Sequence, residues 1–294
     1  MTYNSGFVSV VGRPNVGKST FVNYFAGQKV AITSARPQTT RNRIKTIYTV
    51  EGGQMIFVDT PGVHRPKNEL DKYMLQEVYE SLDGIDVVLI MVDATSPPGK
   101  GDRFIKKQLQ NIEVPLLGVM NKIDAVSNKV LVQRQKEYSR KLGQEAIPIS
   151  ARTGRNIDTL TDKILELLPE GPQYYPEDMF TDCLEQFIIS EFVREKIFQL
   201  TRQEVPYGAA VVIEEFKERK NGKIFIRANI YVEKKSHKGI IIGKNGRLIK
   251  EIGRRARRDV EKLLNEEVYL DLWVKVQKDW RDDENLLERM GYKA

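Results

Sequence analysis

Apolar residues fall along the first half of the chain in short runs of strand length, at 7–11, 55–58, 87–92, 116–120 and 146–149. The runs are rich in Val and Ile, whose branched side chains suit a pleated surface. Between them the apolar spacing widens to that of helices over 18–25, 70–82, 103–110, 131–142 and 157–168. Unbroken apolar strands separated by amphipathic helices predict βαβ units and a mostly parallel sheet covered on both faces. Residues 44–49, then Gly52-Gly53, then 55–58 predict a hairpin, which makes one edge strand antiparallel. Sheets of this kind hold ligands in the loops beyond the carboxyl ends of their strands.

The pattern breaks at Leu168-Pro169-Glu170-Gly171-Pro172 and Tyr174-Tyr175-Pro176. Prolines and glycine at that density predict a linker over 171–180, between a first domain at 1–170 and a second at 181–294. The second domain opens with a helix over 182–203, with Leu184, Phe187, Ile188, Phe192 and Ile197 at helical spacing. Strands at 209–216 and 224–232 flank Asn221-Gly222, a strong hairpin signal. After them come Ile240-Ile241-Ile242, a glycine turn, a basic helix over 248–264, a strand at 268–276 and a short amphipathic stretch at 285–290. The expected order is α-β-β-α-α-β. No repeat and no low-complexity segment is present.

The turn after the first strand, Gly12-Arg13-Pro14-Asn15-Val16-Gly17-Lys18-Ser19-Thr20, fits the phosphate-binding P-loop without a mismatch. Its glycines let successive backbone N–H groups curl around a phosphate, and the helix that follows adds its positive end. Lys18 is suited to the β and γ phosphates, and the Ser19 hydroxyl to Mg²⁺. P-loops serve ATP and GTP alike, so the base must be chosen elsewhere. Asn121-Lys122-Ile123-Asp124 follows the strand at 116–120. A carboxylate at Asp124 accepts from guanine N1–H and N2, donors that adenine lacks, and a site built on such a partner rejects the wrong base by roughly four orders of magnitude. Asn121 is expected to brace neighbouring loops and meet N7, with the Lys122 stem over the ring. Ser150-Ala151-Arg152, after the last strand, is placed to bring a backbone N–H to guanine O6.

Asp59-Thr60-Pro61-Gly62-Val63 follows the strand at 55–58. Asp59 is placed to hold a Mg²⁺-bound water, and the Gly62 N–H to meet a γ-phosphate. Within Arg36-Pro37-Gln38-Thr39-Thr40-Arg41, a threonine hydroxyl can reach Mg²⁺ when γ-phosphate is present; Thr40 is favoured and Thr39 is the alternative. Loss of that phosphate would release the loop, the physical basis of a switch. Lys18, Thr40 and Gly62 are thus the expected catalytic groups, and Ser19, Thr40 and Asp59 the expected metal site. A phosphotransferase, or an RNA scaffold with a vestigial nucleotide site, are the competing classes. The guanine-type motif argues against the first and the intact Lys18, Ser19, Asp59 and Asp124 against the second.

Charge then sharpens the second domain. The 294 residues carry a net charge of +7. From Lys234 to Lys262 eleven Lys or Arg face three acids, so this stretch alone accounts for the whole imbalance. Gly243-Lys244-Asn245-Gly246 lies inside it, after Ile240-Ile241-Ile242 and before Leu248-Ile249. This is the GXXG pattern of a KH domain, which clamps about four nucleotides with the loop at their backbone. The order α-β-β-α-α-β is that of a type II KH fold. Lys234, Lys235, Lys238, Gly243, Lys244, Asn245, Gly246, Arg247, Lys250 and Arg254 are the expected RNA contacts. The bland alternative is a helix-connecting turn beside a solvated basic face. No apolar run approaches the about 20 residues that span a bilayer. The one cysteine, Cys183, excludes an internal disulfide framework and suits a reducing cytoplasm. His64 and His237 with that cysteine make no zinc constellation.

The five loops in order resemble the translation-factor-like GTPases. Pro37-Gln38-Thr39-Thr40-Arg41, Asp59-Thr60-Pro61-Gly62-Val63-His64-Arg65-Pro66-Lys67 and the closing Asp279-Trp280-Arg281-Asp282-Asp283 resemble the Era-type GTPases over essentially the whole chain. The resemblance implies an α/β P-loop GTPase domain with a mixed, mostly parallel sheet, followed by a smaller α+β type II KH domain. It implies Mg²⁺-dependent hydrolysis of GTP to GDP, a monomer, the 3′ end of 16S ribosomal RNA and the 30S subunit as partners, and a cytoplasmic protein with peripheral inner-membrane contact. Val63 stands where Ras-like enzymes carry a water-orienting glutamine, a departure that Era-type proteins share, so slow intrinsic hydrolysis is expected. Asn15 resembles the asparagine with which some of these GTPases hold potassium.

Overall fold

The computed structural model describes residues 2–33, 39–62, 66–143, 145–219 and 222–292. They form two compact units, the first made of described residues within 1–31, 37–65 and 74–182, the second of those within 32–36, 66–73 and 183–294.

The first unit runs β1 (Asn4–Gly12), α1 (Lys18–Phe25), β2 (Ile44–Val50), β3 (Gly53–Asp59), α2 (Glu69–Glu80, whose first residues count with the second unit), β4 (Val87–Asp93), α3 (Lys100–Gln108), β5 (Leu116–Asn121), α4 (Asn128–Leu142), β6 (Ala146–Pro148) and α5 (Ile157–Leu167). Its six strands are ordered β2-β3-β1-β4-β5-β6. Every pair is parallel except β2 with β3, the antiparallel edge hairpin expected from Gly52-Gly53. All seven residues of β3 and of β4 are buried, as strands with helices on both faces require. Phe21 and Phe25 of α1 pack on Phe57 of β3 with ring centroids 5.3 and 4.4 Å apart, fixing the helix that follows the predicted phosphate loop. Such ring pairs contribute about 1 kcal/mol each beyond their buried area. Because β1 lies between β3 and β4, the loop after β1 is flanked by the loops after both neighbours.

The stretch expected as a linker is bonded to this sheet. The buried Gln54 side chain accepts from the N–H groups of Tyr174 (2.9 Å) and Tyr175 (3.0 Å) and donates to the Tyr175 carbonyl (2.8 Å). Ile47 N–H donates to the Phe180 carbonyl at 2.9 Å, so the chain covers part of the edge strand β2. A buried amide and an unpaired strand edge both demand partners, and this segment supplies them.

The second unit contains α6 (Glu185–Leu200), β7 (Ala209–Glu218), β8 (Ile224–Val232), α7 (Lys235–Ile242), α8 (Arg247–Leu264), β9 (Val268–Val276) and α9 (Glu284–Arg289). Strand order is β7-β8-β9, the first pair antiparallel and the second parallel. A parallel neighbour needs a crossover, which α7 and α8 provide. Val193 and Ile197 of α6, Ala228 and Ile230 of β8, and Ile252 and Ala256 of α8 share one core. Of the hairpin signal, Asn221 lies outside the described residues, and Gly222 takes the positive φ of 74°. Toward the C-terminus, buried Trp280 donates its indole N–H to the Gly208 carbonyl at 3.0 Å and stacks on Tyr292.

Candidate functional site

The loop after β1 passes into α1 through Gly17 at φ 104°, where a Cβ would also stand 2.2 Å from Asn121 Nδ2. Only glycine meets both demands. Lys18 is buried, its ammonium donating to the carbonyls of Gly12 (3.2 Å) and Arg13 (3.4 Å), and burial lowers its pKa against the pull of Asp59. Beside it three oxygens converge: Ser19 Oγ is 2.9 Å from Thr40 Oγ1 and 3.0 Å from Asp59 Oδ2, and Thr40 Oγ1 is 3.3 Å from the same carboxylate. Of the two threonines weighed from the sequence, Thr40 makes these contacts. Asp59 is fully buried, and burial, opposed by Lys18, Ser19 and Thr40, lifts its carboxyl to about 6. Its second oxygen, Oδ1, is buried with no hydrogen-bond partner. Thr60 anchors the start of the next loop on the Val10 carbonyl at 2.9 Å, and Gly62 packs on Pro14. Val63 and His64, and Arg36 to Gln38 of the preceding loop, lie outside the described residues.

At the end of β5, Asn121 braces three loops. Its Nδ2 donates to the Val16 carbonyl at 3.0 Å, and its Oδ1 accepts from Lys122 N (2.8 Å) and Ala151 N (3.0 Å). Asp124 receives the Ser150 hydroxyl at 2.6 Å on one oxygen and the Arg152 guanidinium at 2.6 Å on the other. Ile123 between them is buried. Lys122 bridges the Asn15 carbonyl (2.5 Å) and Asp93 Oδ2 (2.6 Å). Asp93 was not singled out from the sequence, although an acid at the end of an apolar strand in this fold is a usable signal. Asp102, which holds Arg13 from α3 at 2.9 Å, gave no local signal at all.

In the second unit α7 ends on Gly243 at φ 70°, where a Cβ would lie 2.8 Å from Leu248 Cβ. Asn245 (φ 54°) and Gly246 (φ 72°) continue in the left-handed region, and Gly246 caps α8. The GXXG turn thus joins two helices tightly, and α7 starts at Lys235, earlier than the apolar triplet suggested. Lys244, Arg247 and Lys250 are exposed and, among the described residues, make no ion pair. Lys234 and Lys235 are exposed as well, and Lys238 partly so. Arg254 is different: it and Arg255 both clasp Glu251, at 2.7 and 2.6 Å, and hold that carboxyl down to about 2. Part of the helix's positive charge is therefore already compensated. Between α8 and β9 runs a cleft of about 360 Å³ lined by Ile249, Lys250, Gly253, Arg254, Tyr269 and Leu272. Tyr269, which the sequence gave no reason to choose, is about half exposed there, at 54%.

Among the described residues no helix is long and apolar enough to cross a membrane. Residues 7–122 match the family described as 50S ribosome-binding GTPase, and residues 204–281 match the KH domain. The GTPase Era of Halothermothrix orenii is 60% identical over 294 residues, with the whole of both chains covered. A crystal structure of an Aquifex aeolicus Era variant bound to GDP·AlF4⁻ superposes with a TM-score of 0.93 at 40% identity, covering 99% of this chain and 100% of that one. A second Era structure, in complex with MgGDPNP and nucleotides 1506–1542 of 16S ribosomal RNA, gives 0.94 at 40% identity over 99% of this chain and 100% of the other. With a P-loop GTPase unit, a KH unit and full-length relatives that all agree, the chain belongs to the Era family of GTPases.

Proposed function

We propose that this GTPase couples its nucleotide state to binding of the 3′ end of 16S ribosomal RNA and acts in assembly of the 30S subunit. GTP chemistry is assigned to residues 1–170, RNA binding to 181–294, and 171–180 joins them. The observation that carries the base assignment is Asp124, held at the end of β5 by Ser150 and Arg152 with both oxygens engaged by donors, as guanine N1–H and N2 would engage them. The RNA assignment rests on the GXXG turn, the exposed Lys244, Arg247 and Lys250 beside it and the cleft between α8 and β9, together with the RNA in the Era complex at 40% identity.

Gly12 to Thr20 would wrap the phosphates, with Lys18 on the β and γ oxygens. Magnesium fits beside them: three hard oxygens lie within 3.3 Å of one another and the buried Asp59 Oδ1 has no hydrogen-bond partner. Ser19, Thr40 and Asp59 would hold it, and a bound Mg²⁺ would neutralise charge on the phosphates. Thr40 would lose its ligand when the γ-phosphate leaves, and the Gly62 N–H would meet that phosphate directly. Backbone groups of these two loops position the attacking water, in keeping with Val63 in place of glutamine. Thr60, Pro61, Lys122, Ala151 and Arg152 complete the walls of the nucleotide site. Asn15, exposed at φ 66°, is assigned a potassium ion near the phosphates; equal rates in sodium and potassium buffers would remove that assignment. In the second unit, Gly243 to Arg247 approach the RNA backbone, with Lys234, Lys235, Lys238, Lys250 and Arg254 along the track. The protein is assigned to the cytoplasm as a monomer, with peripheral contact of its basic face with anionic inner-membrane lipid.

Turnover of GTP with and without the 16S 3′ fragment tests the coupling. Stimulation by that RNA, and none by an unrelated RNA of equal length, is the expected outcome; identical rates in all three conditions would overturn it.

A further inference from the structure

We propose that Arg13 is a positioning residue for GTP hydrolysis, its side chain bracing the phosphate turn against α3 and α4. The inference rests on the assignment of the P-loop to the phosphates. Arg13 Nε lies 2.9 Å from Asp102 Oδ1, an ion pair whose carboxylate is 2% exposed and whose guanidinium is 22% exposed. Arg13 Nη2 donates to Ser96 Oγ at 3.0 Å and to the Tyr138 hydroxyl at 3.1 Å. The far side of this socket is tied down in turn. Asp102 Oδ2 accepts the Gly99 N–H at 2.6 Å, and the Tyr138 hydroxyl donates to the Ser96 carbonyl at 3.4 Å. Burial pushes the Tyr138 phenol up to about 12, so it remains a neutral donor.

The socket is shaped for arginine. A Cβ at Gly101 would stand 2.8 Å from Arg13 Cδ, and one at Gly99 would stand 3.3 Å from Arg13 Nη1. Glycines at both positions leave room for the long side chain to lie flat. Lysine could reach Asp102 but could not serve Ser96 and Tyr138 with the same planar fork.

The consequence lies in what the Arg13 backbone touches. Its carbonyl accepts the Lys18 ammonium at 3.4 Å, and the next residue, Pro14, closes against Gly62, where a Cβ would come within 2.7 Å of Pro14 Cγ. Lys122 holds the following carbonyl, Asn15, at 2.5 Å. The turn is therefore clamped by two cations, each seated on an acid remote in sequence: Arg13 on Asp102 and Lys122 on Asp93. Releasing the Arg13 clamp shifts Lys18 and the backing of Gly62 together, and displacement of such groups by about 1 Å costs on the order of 100-fold in rate. Guanine recognition, made by Asp124 on another loop, should be spared.

The test uses the full chain with single-turnover GTP hydrolysis, dissociation of fluorescent GDP, and melting temperature. Arg13→Met should slow hydrolysis about tenfold or more and, because Lys18 also serves the β-phosphate, speed GDP dissociation by a smaller factor. Arg13→Lys should recover part of the loss. Asp102→Asn should lose as much as Arg13→Met, and the double variant no more than either, because the pair acts as a unit. Since a buried acid stripped of its cation can unfold the domain, Tyr138→Phe provides a milder arm, expected to slow hydrolysis about two- to threefold while lowering the melting temperature by only about 2–4 °C. Losses that multiply in the double variant, or Arg13→Met and Tyr138→Phe at the parental rate, overturn the brace. A parent protein that binds ATP as tightly as GTP overturns the nucleotide site itself, an outcome separate from these.

Discussion

The Ser150 hydroxyl donates to Asp124 Oδ1 at 2.6 Å, fixing the carboxylate at the end of β5 from a loop that follows β6. A charged acceptor held by a partner is pre-aimed, and hydrogen bonds to charged groups contribute about 1.5–3 kcal/mol. Ser150→Ala should therefore weaken GTP and GDP binding by about tenfold without changing the choice of base. Asp124→Asn should weaken both by about 100-fold or more and improve binding of xanthine nucleotides. Calorimetry with GTP, XTP and ATP checks both variants, and an unchanged GTP affinity in Asp124→Asn would refute the base assignment.

Gly62 lies where a Cβ would come 2.7 Å from Pro14 Cγ and 3.0 Å from Pro14 Cα. Neither atom can yield without moving the phosphate turn. Gly62→Ala should slow hydrolysis about tenfold or more and weaken GDP affinity by a smaller factor, since the clash falls where the γ-phosphate is proposed to be sensed. Rapid-quench measurement of GTP cleavage, beside fluorescent GDP binding, separates the two effects.

Magnesium dependence should carry the titration of Asp59. Burial lifts its carboxyl from 3.8 to about 6 in the protein alone. The folded state then holds the proton more tightly than the unfolded chain, so this group's contribution to stability falls as pH rises from about 4 to 6. A divalent cation must displace the same proton, so Mg²⁺ affinity should drop as pH falls below about 6, by up to about tenfold per unit. Titrating Mg²⁺ into the GDP complex at pH 5, 6 and 7 checks it, with Mg-free GDP binding as the control for protonation of the nucleotide. A flat Mg²⁺ affinity over that range would count against Asp59 as a ligand.

Gly246 takes a φ of 72° with open space around its Cα. Gly246→Asn accepts that conformation at modest cost, whereas Gly246→Asp adds a negative charge where phosphate is expected. The aspartate variant should lower affinity for the 16S 3′ fragment about tenfold or more relative to the asparagine variant, with GTP binding unchanged. Filter binding at two salt concentrations reads this out, and equal RNA affinity in the two variants would exclude the turn from the interface.

Motifs whose chemistry is local were legible in the chain itself. The phosphate turn, Asn121 to Asp124, the GXXG turn and the alternation of strands and helices each depend on residues close in sequence. Their backbone and side chains need only a strand end, a positive φ or a helix start to become what they are. Folding decided what depends on strand order. It brought Thr40 beside Ser19, seated Lys122 on Asp93 and Arg13 on Asp102, and laid 174–175 of the expected linker onto Gln54. None of these pairs shares a spacing or a periodicity. They meet because β1 lies between β3 and β4 with β5 beyond, an arrangement that side-chain pattern along a chain does not encode but a buried sheet imposes.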